Sequence, residues 1–203
     1  MSIEVKISKN RIPYKKAMFI LEKRVEAVKR GSKKEFLWIL EHPTTYTSGI
    51  RSNKKEILDK QIKVIKTNRG GKVTLHNPGQ KVVYFVIDLN RRKKDIRRFI
   101  RTLENSIIEI LRIYKINSYS DKTNIGIWVN NKKISAIGVK VRKWIAYHGC
   151  SININNDLSA YKKIIPCGLS NKNITSLKNL GIKKIINLNK NIKDVFIKNL
   201  SKI

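Results

Sequence analysis

The sequence predicts an α/β fold in which helices pack on a central mixed or largely antiparallel sheet. Two stretches repeat apolar residues at helical spacing, several others are continuously apolar or alternating, and the two kinds interleave along the chain. No internal repeat, low-complexity linker or sharp shift of composition divides the 203 residues, so they are taken as one domain spanning 1–203.

A short strand over Ile3 to Ile7 opens the chain. Ala17, Met18, Leu21, Val25 and Val28 then recur at helical spacing until Gly31, which suits a helix C-terminus. Phe36 to Leu40 reads as a buried strand that Glu41, His42 and Pro43 end. Gln61 to Thr67 alternates like a half-buried strand, Asn68 to Gly79 is rich in turn residues, and Lys81 to Leu89 resumes as a strand. From Arg91 to Lys115 a second helix shows a wide apolar stripe through Ile96, Phe99, Ile100, Leu103, Ile107, Ile110, Leu111 and Tyr114. Ile125 to Val129 meets Lys133 to Val139 across Asn130 and Asn131, a pair that tolerates the positive φ of a type I′ hairpin turn. Trp144 to Ile154 is strand-like, with Tyr147, His148 and Gly149 read as an interruption. A loop follows from Lys162 to Asn171, then helical segments at Ile174 to Leu180 and near Ile192 to Leu200.

The formal net charge is +31, which taken alone points to nucleic acid or an anionic membrane surface. Two features argue otherwise. The Lys, Ile and Asn excess is spread over the whole chain, and aromatic residues are only 7% and scattered, whereas nucleic-acid readers favour Arg and stack bases on aromatic rings. We therefore expect no nucleic-acid or membrane partner; a basic surface equally suits an acidic protein. No apolar run approaches the roughly 20 residues that cross a bilayer. Met1 to Asn10 lacks a signal-like apolar core, and two cysteines are too few for a disulfide framework, so a cytoplasmic, monomeric protein is expected.

Three histidines, His42, His76 and His148, all fall at predicted strand ends, which suggests that those ends converge. Arg69 precedes the pair Gly70 and Gly71, which lets the backbone come close to a ligand, or else makes an ordinary turn. The spacing fits neither a P-loop nor a dinucleotide fingerprint, and neither a metal nor another cofactor is expected. Cys167 lies between Pro166 and Gly168 in a loop, where a thiolate could be exposed if a cation favours it. Cys150, within strand-like sequence, reads as an ordinary buried thiol.

Five stretches in order carry a resemblance. They are Leu40-Glu41-His42-Pro43 with Tyr46-Thr47, Arg69 to Gln80, Lys133 to Val139, Tyr147-His148-Gly149, and Pro166-Cys167-Gly168-Leu169. From about Phe19 to Gly181 the chain resembles the octanoyltransferases of the lipoate pathway. The resemblance implies the fold of the class II biotin and lipoate protein ligases. It also implies transfer of an octanoyl group from octanoyl-acyl carrier protein to a lysine of the acceptor. That acceptor is a lipoyl domain of a 2-oxoacid dehydrogenase E2 subunit, or the glycine-cleavage H protein. By the family pattern Cys167 is the acyl-thioester nucleophile and Lys133 the cation that lowers its pKa. Substrate would be bordered by Arg69, Gly70, Gly71, Lys72, Val73, Thr74, Leu75 and His76, by Ala136, Ile137 and Gly138, and by Gly149, Cys150 and Ser151. The chain departs from the pattern at Leu75 and Asn77, where Tyr and Gly are usual, and at Cys150 and Ser151, where Leu and Ala are usual. Lys133 is expected to act next as general base towards the incoming amine, with His76 or His148 sharing that work. Two other classes remain: an ATP-dependent lipoate or biotin ligase, which needs a longer glycine-rich loop and no Cys167, and a basic nucleic-acid-binding module.

Overall fold

The computed structural model describes residues 2–32, 34–121, 123–166 and 173–203. Cys167 and Gly168 lie outside the described residues. In chain order the first elements are β1 (Ser2–Ile7), α1 (Tyr14–Lys29), β2 (Lys34–Leu40), β3 (Thr45–Ser48), β4 (Val64–Lys66), β5 (Val73–His76) and β6 (Gln80–Asp88). There follow α2 (Ile96–Ile113), β7 (Tyr119–Ser120), β8 (Ile127–Val129), β9 (Lys132–Arg142), β10 (Ile145–Asn153) and α3 (Leu188–Leu200).

Seven strands form one sheet in the order β1-β2-β6-β10-β9-β8-β7. The β1 pairing to β2 is parallel and every other pairing is antiparallel, so the sheet is mixed, as the sequence predicts. Helices cover both faces, which explains why β2 and β6 are apolar without alternation. Phe36, Trp38, Leu40, Val82, Tyr84 and Val86 pack under Ala17, Leu21 and Val25 of α1. The alternate residues Leu37, Ile39, Val83, Phe85 and Ile87 pack with Phe99, Leu103 and Ile107 of α2 and Ile192 and Phe196 of α3. Among the described residues no helix is long and apolar enough to cross a membrane.

A second sheet, ordered β4-β3-β5, carries the glycine loop. Its core sets Tyr46, Val73 and Leu75 against Tyr161 and Ile164. The turn-rich stretch Asn68 to Gly79 contains a strand, β5, antiparallel to β3, and only Val64 to Lys66 of the alternating stretch pairs as a strand.

Other boundaries move for local reasons. The second helix begins at Ile96 rather than Arg91, because Asp95 caps it, its side chain accepting from Arg98 N at 2.9 Å. Asp88 caps a separate turn over Leu89 to Arg91. The stretch from Ile174 is extended where it meets β9: Ile174 bridges to Lys133, and only Lys178–Leu180 forms a short 3-10 turn, ending at Gly181. Its apolar spacing instead serves to bury Leu177. The Asn130 and Asn131 turn has φ of 47° and 60°, as its residues predict. Lys143 and Trp144 make the β9–β10 turn with φ of 50° and 63°, without any asparagine or glycine to announce it. Nor is β10 interrupted at Tyr147 to Gly149: the strand runs through, pairing Tyr147 with Val86 and Gly149 with Tyr84, and only the backbone of His148 departs, at φ +69°.

Candidate active site

The glycine loop is pinned before any ligand arrives. Arg69 donates through Nη2 to Thr47 O at 2.9 Å and Thr47 Oγ1 at 2.8 Å, and through Nη1 to Gly70 O at 2.9 Å. Gly70 N donates to Val139 O at 3.3 Å, which seats the loop on β9. Arg69 is therefore a buried brace that holds β3, the loop and β9 together. Glu56 adds a second brace, accepting from Val73 N at 3.4 Å and pairing with Lys72 Nζ at 3.1 Å.

Between this loop and strands β9 and β10 lies a cavity. It is lined by Arg69, Gly70, Gly71, Lys72, Thr74, His76, Ala136, Ile137, Gly138, Gly149, Cys150 and Ser151, together with Tyr14, Val82, Tyr84 and His148. Val73 and Leu75, named from the sequence, do not line it. On a strand alternate side chains face opposite ways, so Thr74 and His76 face the cavity while Val73 and Leu75 enter the small core with Tyr46 and Tyr161. Gly149 is fixed by packing: a Cβ there would stand 1.8 Å from Val83 O on β6. Cys150 lies in the main core, and burial pushes its thiol up to about 12, so it stays protonated at neutral pH.

The three histidines converge. The rings of His42 and His76 are 5.5 Å apart, and Tyr14 lies 5.3 Å from the first and stacks at 6.0 Å on the second. His42 Nδ1 donates to Ile12 O at 2.5 Å, so its Nε2 accepts from the Tyr84 hydroxyl at 2.8 Å. Gln80 Nε2 faces Asn153 Oδ1 at 2.9 Å, which turns its Oε1 towards His76 Nδ1 at 2.7 Å and makes that nitrogen the donor. Asn153 continues the network to Thr175 O, and Thr175 N donates to Lys133 O.

At His148 the strand rule is broken. Neighbours on a strand should point to opposite faces, yet the His148 ring stacks on Tyr147 at 4.7 Å and 21°. The left-handed backbone at φ +69° turns it there, a conformation that costs a side-chain-bearing residue about 1–2 kcal/mol. Asn68 donates from Nδ2 to Glu22 and to the Tyr147 hydroxyl, both at 3.2 Å, so its Oδ1 accepts from His148 Nε2 at 2.6 Å. His148 Nδ1 then holds a lone pair with no partner among the described residues. Burial lowers all three histidines, His42 to about 4 and His76 and His148 to about 3. They are neutral hydrogen-bonding groups near pH 7, too weakly basic for the proton-accepting role expected of His76 or His148.

Lys133 stands in an adjoining chamber with Thr74, Ser135, Ala136, Ser151, Asn153, Tyr161, Pro166 and Ile174. Thr74, Ala136 and Ser151 line both spaces, which therefore adjoin. The β8–β9 register shifts between Ile127 and Trp128, and this irregularity re-aims Lys133 inwards. The residue is 7% exposed and its Nζ lies 5.2 Å from the Trp128 ring centroid. Gly126 makes the room, since a Cβ there would come within 2.5 Å of Lys133 Cε and 2.6 Å of Ser135 O. Among the described residues no group of three His, Cys, Asp or Glu side chains could hold a metal ion.

Residues 13–199 match the family model described as the lipoyl protein ligase A/B catalytic domain. An octanoyltransferase of Anaplasma phagocytophilum is 44% identical over 187 residues, 89% of this chain and 90% of the relative. The chain belongs to the octanoyltransferases of this family. A second such enzyme, from Ehrlichia chaffeensis, is 44% identical over 186 residues, 89% of this chain and 87% of the relative. A bipartite lipoate protein ligase of Thermoplasma acidophilum, solved in a study that includes its E2 lipoyl domain, shares the fold with a TM-score of 0.72. Its identity is 17%, and the match covers 100% of this chain and 83% of that one.

Family membership makes the chain an acyltransferase, and the structure adds cavity residues that sequence reasoning did not assign. Tyr84 carries no local signal, since it sits inside a uniformly apolar strand and reaches the cavity only because the register sets it opposite Gly149. Tyr14 looks like one more position on the α1 stripe. The Tyr147-His148-Gly149 stretch did stand out, and its irregularity is a single left-handed residue rather than a break.

Proposed function

We propose that the chain transfers an octanoyl group from octanoyl-acyl carrier protein to a lysine of a lipoyl domain or H protein, through a thioester on Cys167. What carries the reading is that Pro166, one residue before Cys167, lines the same chamber as Lys133. Ile174, just beyond the far end of the same stretch, also lines it. The Lys133 ammonium beside the thiol would hold it as thiolate.

The thiolate attacks the octanoyl thioester, forming a new C–S bond. The tetrahedral intermediate collapses, and the carrier's phosphopantetheine sulfur leaves and takes a proton from Lys133. The neutral amine of the acceptor lysine then attacks the acyl-enzyme, the C–N bond forms, the Cys167 C–S bond breaks, and Lys133 recovers a proton from the amine. Exchange between thioesters is nearly isoenergetic and aminolysis to an amide runs downhill, so the route needs no ATP. The acyl chain would leave the chamber past Thr74, Ala136 and Ser151 and lie along β9 and β10 under the glycine loop. The substrate-contacting set is then Arg69 to Lys72, Thr74, His76, Ala136 to Gly138 and Gly149 to Ser151. Its donor and acceptor would meet a protein of net charge +31, which favours acidic partners. We take the chain as one catalytic domain acting as a monomer in the cytoplasm.

Single-turnover transfer without nucleotide tests this. Cys167→Ser should abolish transfer, while Lys133→Ala slows acyl-enzyme formation and moves its pH profile upward. Transfer that requires ATP and survives loss of Cys167 would sink the reading.

A further inference from the structure

The cavity proposed for the acyl chain has a second end. At its far side Tyr14 and His148 also line an outer groove between α1 and β4, where Met18 and Ile65 offer apolar surface. Tyr14 and His148 therefore stand where the cavity and the groove adjoin. His148 is 3% exposed, its backbone is held left-handed to turn the ring onto this face, and Asn68 fixes the ring through Nε2 at 2.6 Å.

Distance gives this position a meaning. From Ser151, where the cavity opens towards Lys133, to His148 the strand advances three residues, about 10 Å. An extended octanoyl chain, with C–C bonds of about 1.5 Å in zigzag, spans about 9 Å.

We propose that His148, stacked on Tyr147 and fixed by Asn68, is the stop that sets acyl length, closing the cavity at the octanoyl terminus and barring longer chains from the outer groove. This rests on the acyl placement proposed above. A neutral imidazole suits the task, since a charged ring covered by an alkyl terminus would lose its solvation without compensation.

His148→Gly tests it, because glycine adopts the left-handed backbone without a Cβ and only the ring is lost. Lipoyl domain would be offered equal octanoyl- and dodecanoyl-carrier protein, and the products separated by mass. The dodecanoyl-to-octanoyl ratio of kcat/KM should rise at least tenfold over wild type, with a smaller rise in the same direction for Asn68→Ala. A ratio within twofold of wild type in folded His148→Gly overturns the proposal. So does an octanoyl rate that falls with a shifted pH profile at an unchanged ratio, which would mean proton transfer by His148. If His148→Gly does not fold, Asn68→Ala decides by the same ratio. Ala136→Phe, at the junction of the two spaces, separates the failures. If it leaves octanoyl transfer at the wild-type rate, the acyl placement itself falls. If it blocks transfer while the ratio stays flat in His148→Gly, only the length stop falls.

Discussion

Lowering the pH from 7 to 5 should destabilise the protein through its three buried histidines. Their ordinary value is 6.5, and burial holds them at about 4 for His42 and about 3 for His76 and His148. Below pH 6.5 the unfolded chain binds protons on these rings that the folded chain refuses, so stability is fully present above that value and falls with pH. At pH 5 an unfolded imidazole is almost fully protonated and a folded one almost not at all. The gap amounts to about 1.4 pH units of linkage, or about 2 kcal/mol per histidine. Three give about 6 kcal/mol, comparable to the whole stability of an ordinary domain. Carboxylates that are lowered in the fold, such as Glu4, Glu41 and Asp59, lose their contribution at lower pH, while Glu104, which burial raises, gains stability as pH falls and offsets part of the histidine loss. Urea unfolding at pH 7, 6 and 5 measures the drop, and His148→Gly should shrink it by about 2 kcal/mol. An unfolding free energy flat within about 1 kcal/mol across that range, or imidazole resonances titrating near 6.5, would refute the reasoning.

Three other outcomes follow from the geometry. Gly126→Ala puts a Cβ 2.5 Å from Lys133 Cε and 2.6 Å from Ser135 O, so it should slow acyl-enzyme formation at least tenfold, read by rapid quench, while costing about 1–3 kcal/mol in unfolding titrations. Gly149→Ala collides with Val83 O at 1.8 Å and must part β6 from β10, so it should cost more than about 4 kcal/mol and yield largely insoluble protein. Raising salt from about 0.05 M to 0.5 M should lower kcat/KM for carrier protein several-fold while leaving kcat within about twofold, because screening acts on encounter between charged surfaces.

The helices were legible because burial on one face leaves a periodic trace: Ala17, Leu21, Val25 and Val28, then Phe99, Leu103 and Ile107, are the residues that pack. The Asn130–Asn131 turn was legible because its backbone demands residues that tolerate positive φ. What stayed hidden depends on tertiary partners. Thr74 and His76 look like turn residues until β3 pairs beside them, and Lys143 and Trp144 take a left-handed turn that their side chains do not favour. Of the site, the ordered motifs led to the loop and to strands β9 and β10. The alternation of β5 removes Val73 and Leu75 from the lining, and only register and the turned ring bring in Tyr84 and His148.

A thioester on Cys167 can be trapped directly. Protein mixed with octanoyl-carrier protein and quenched in acid within one turnover should gain the mass of one octanoyl group on the peptide that contains Cys167. That mass should disappear when a lipoyl domain is added, in step with octanoylation of its lysine. Full transfer to the lipoyl domain with Cys167 unmodified at every time point would contradict the account.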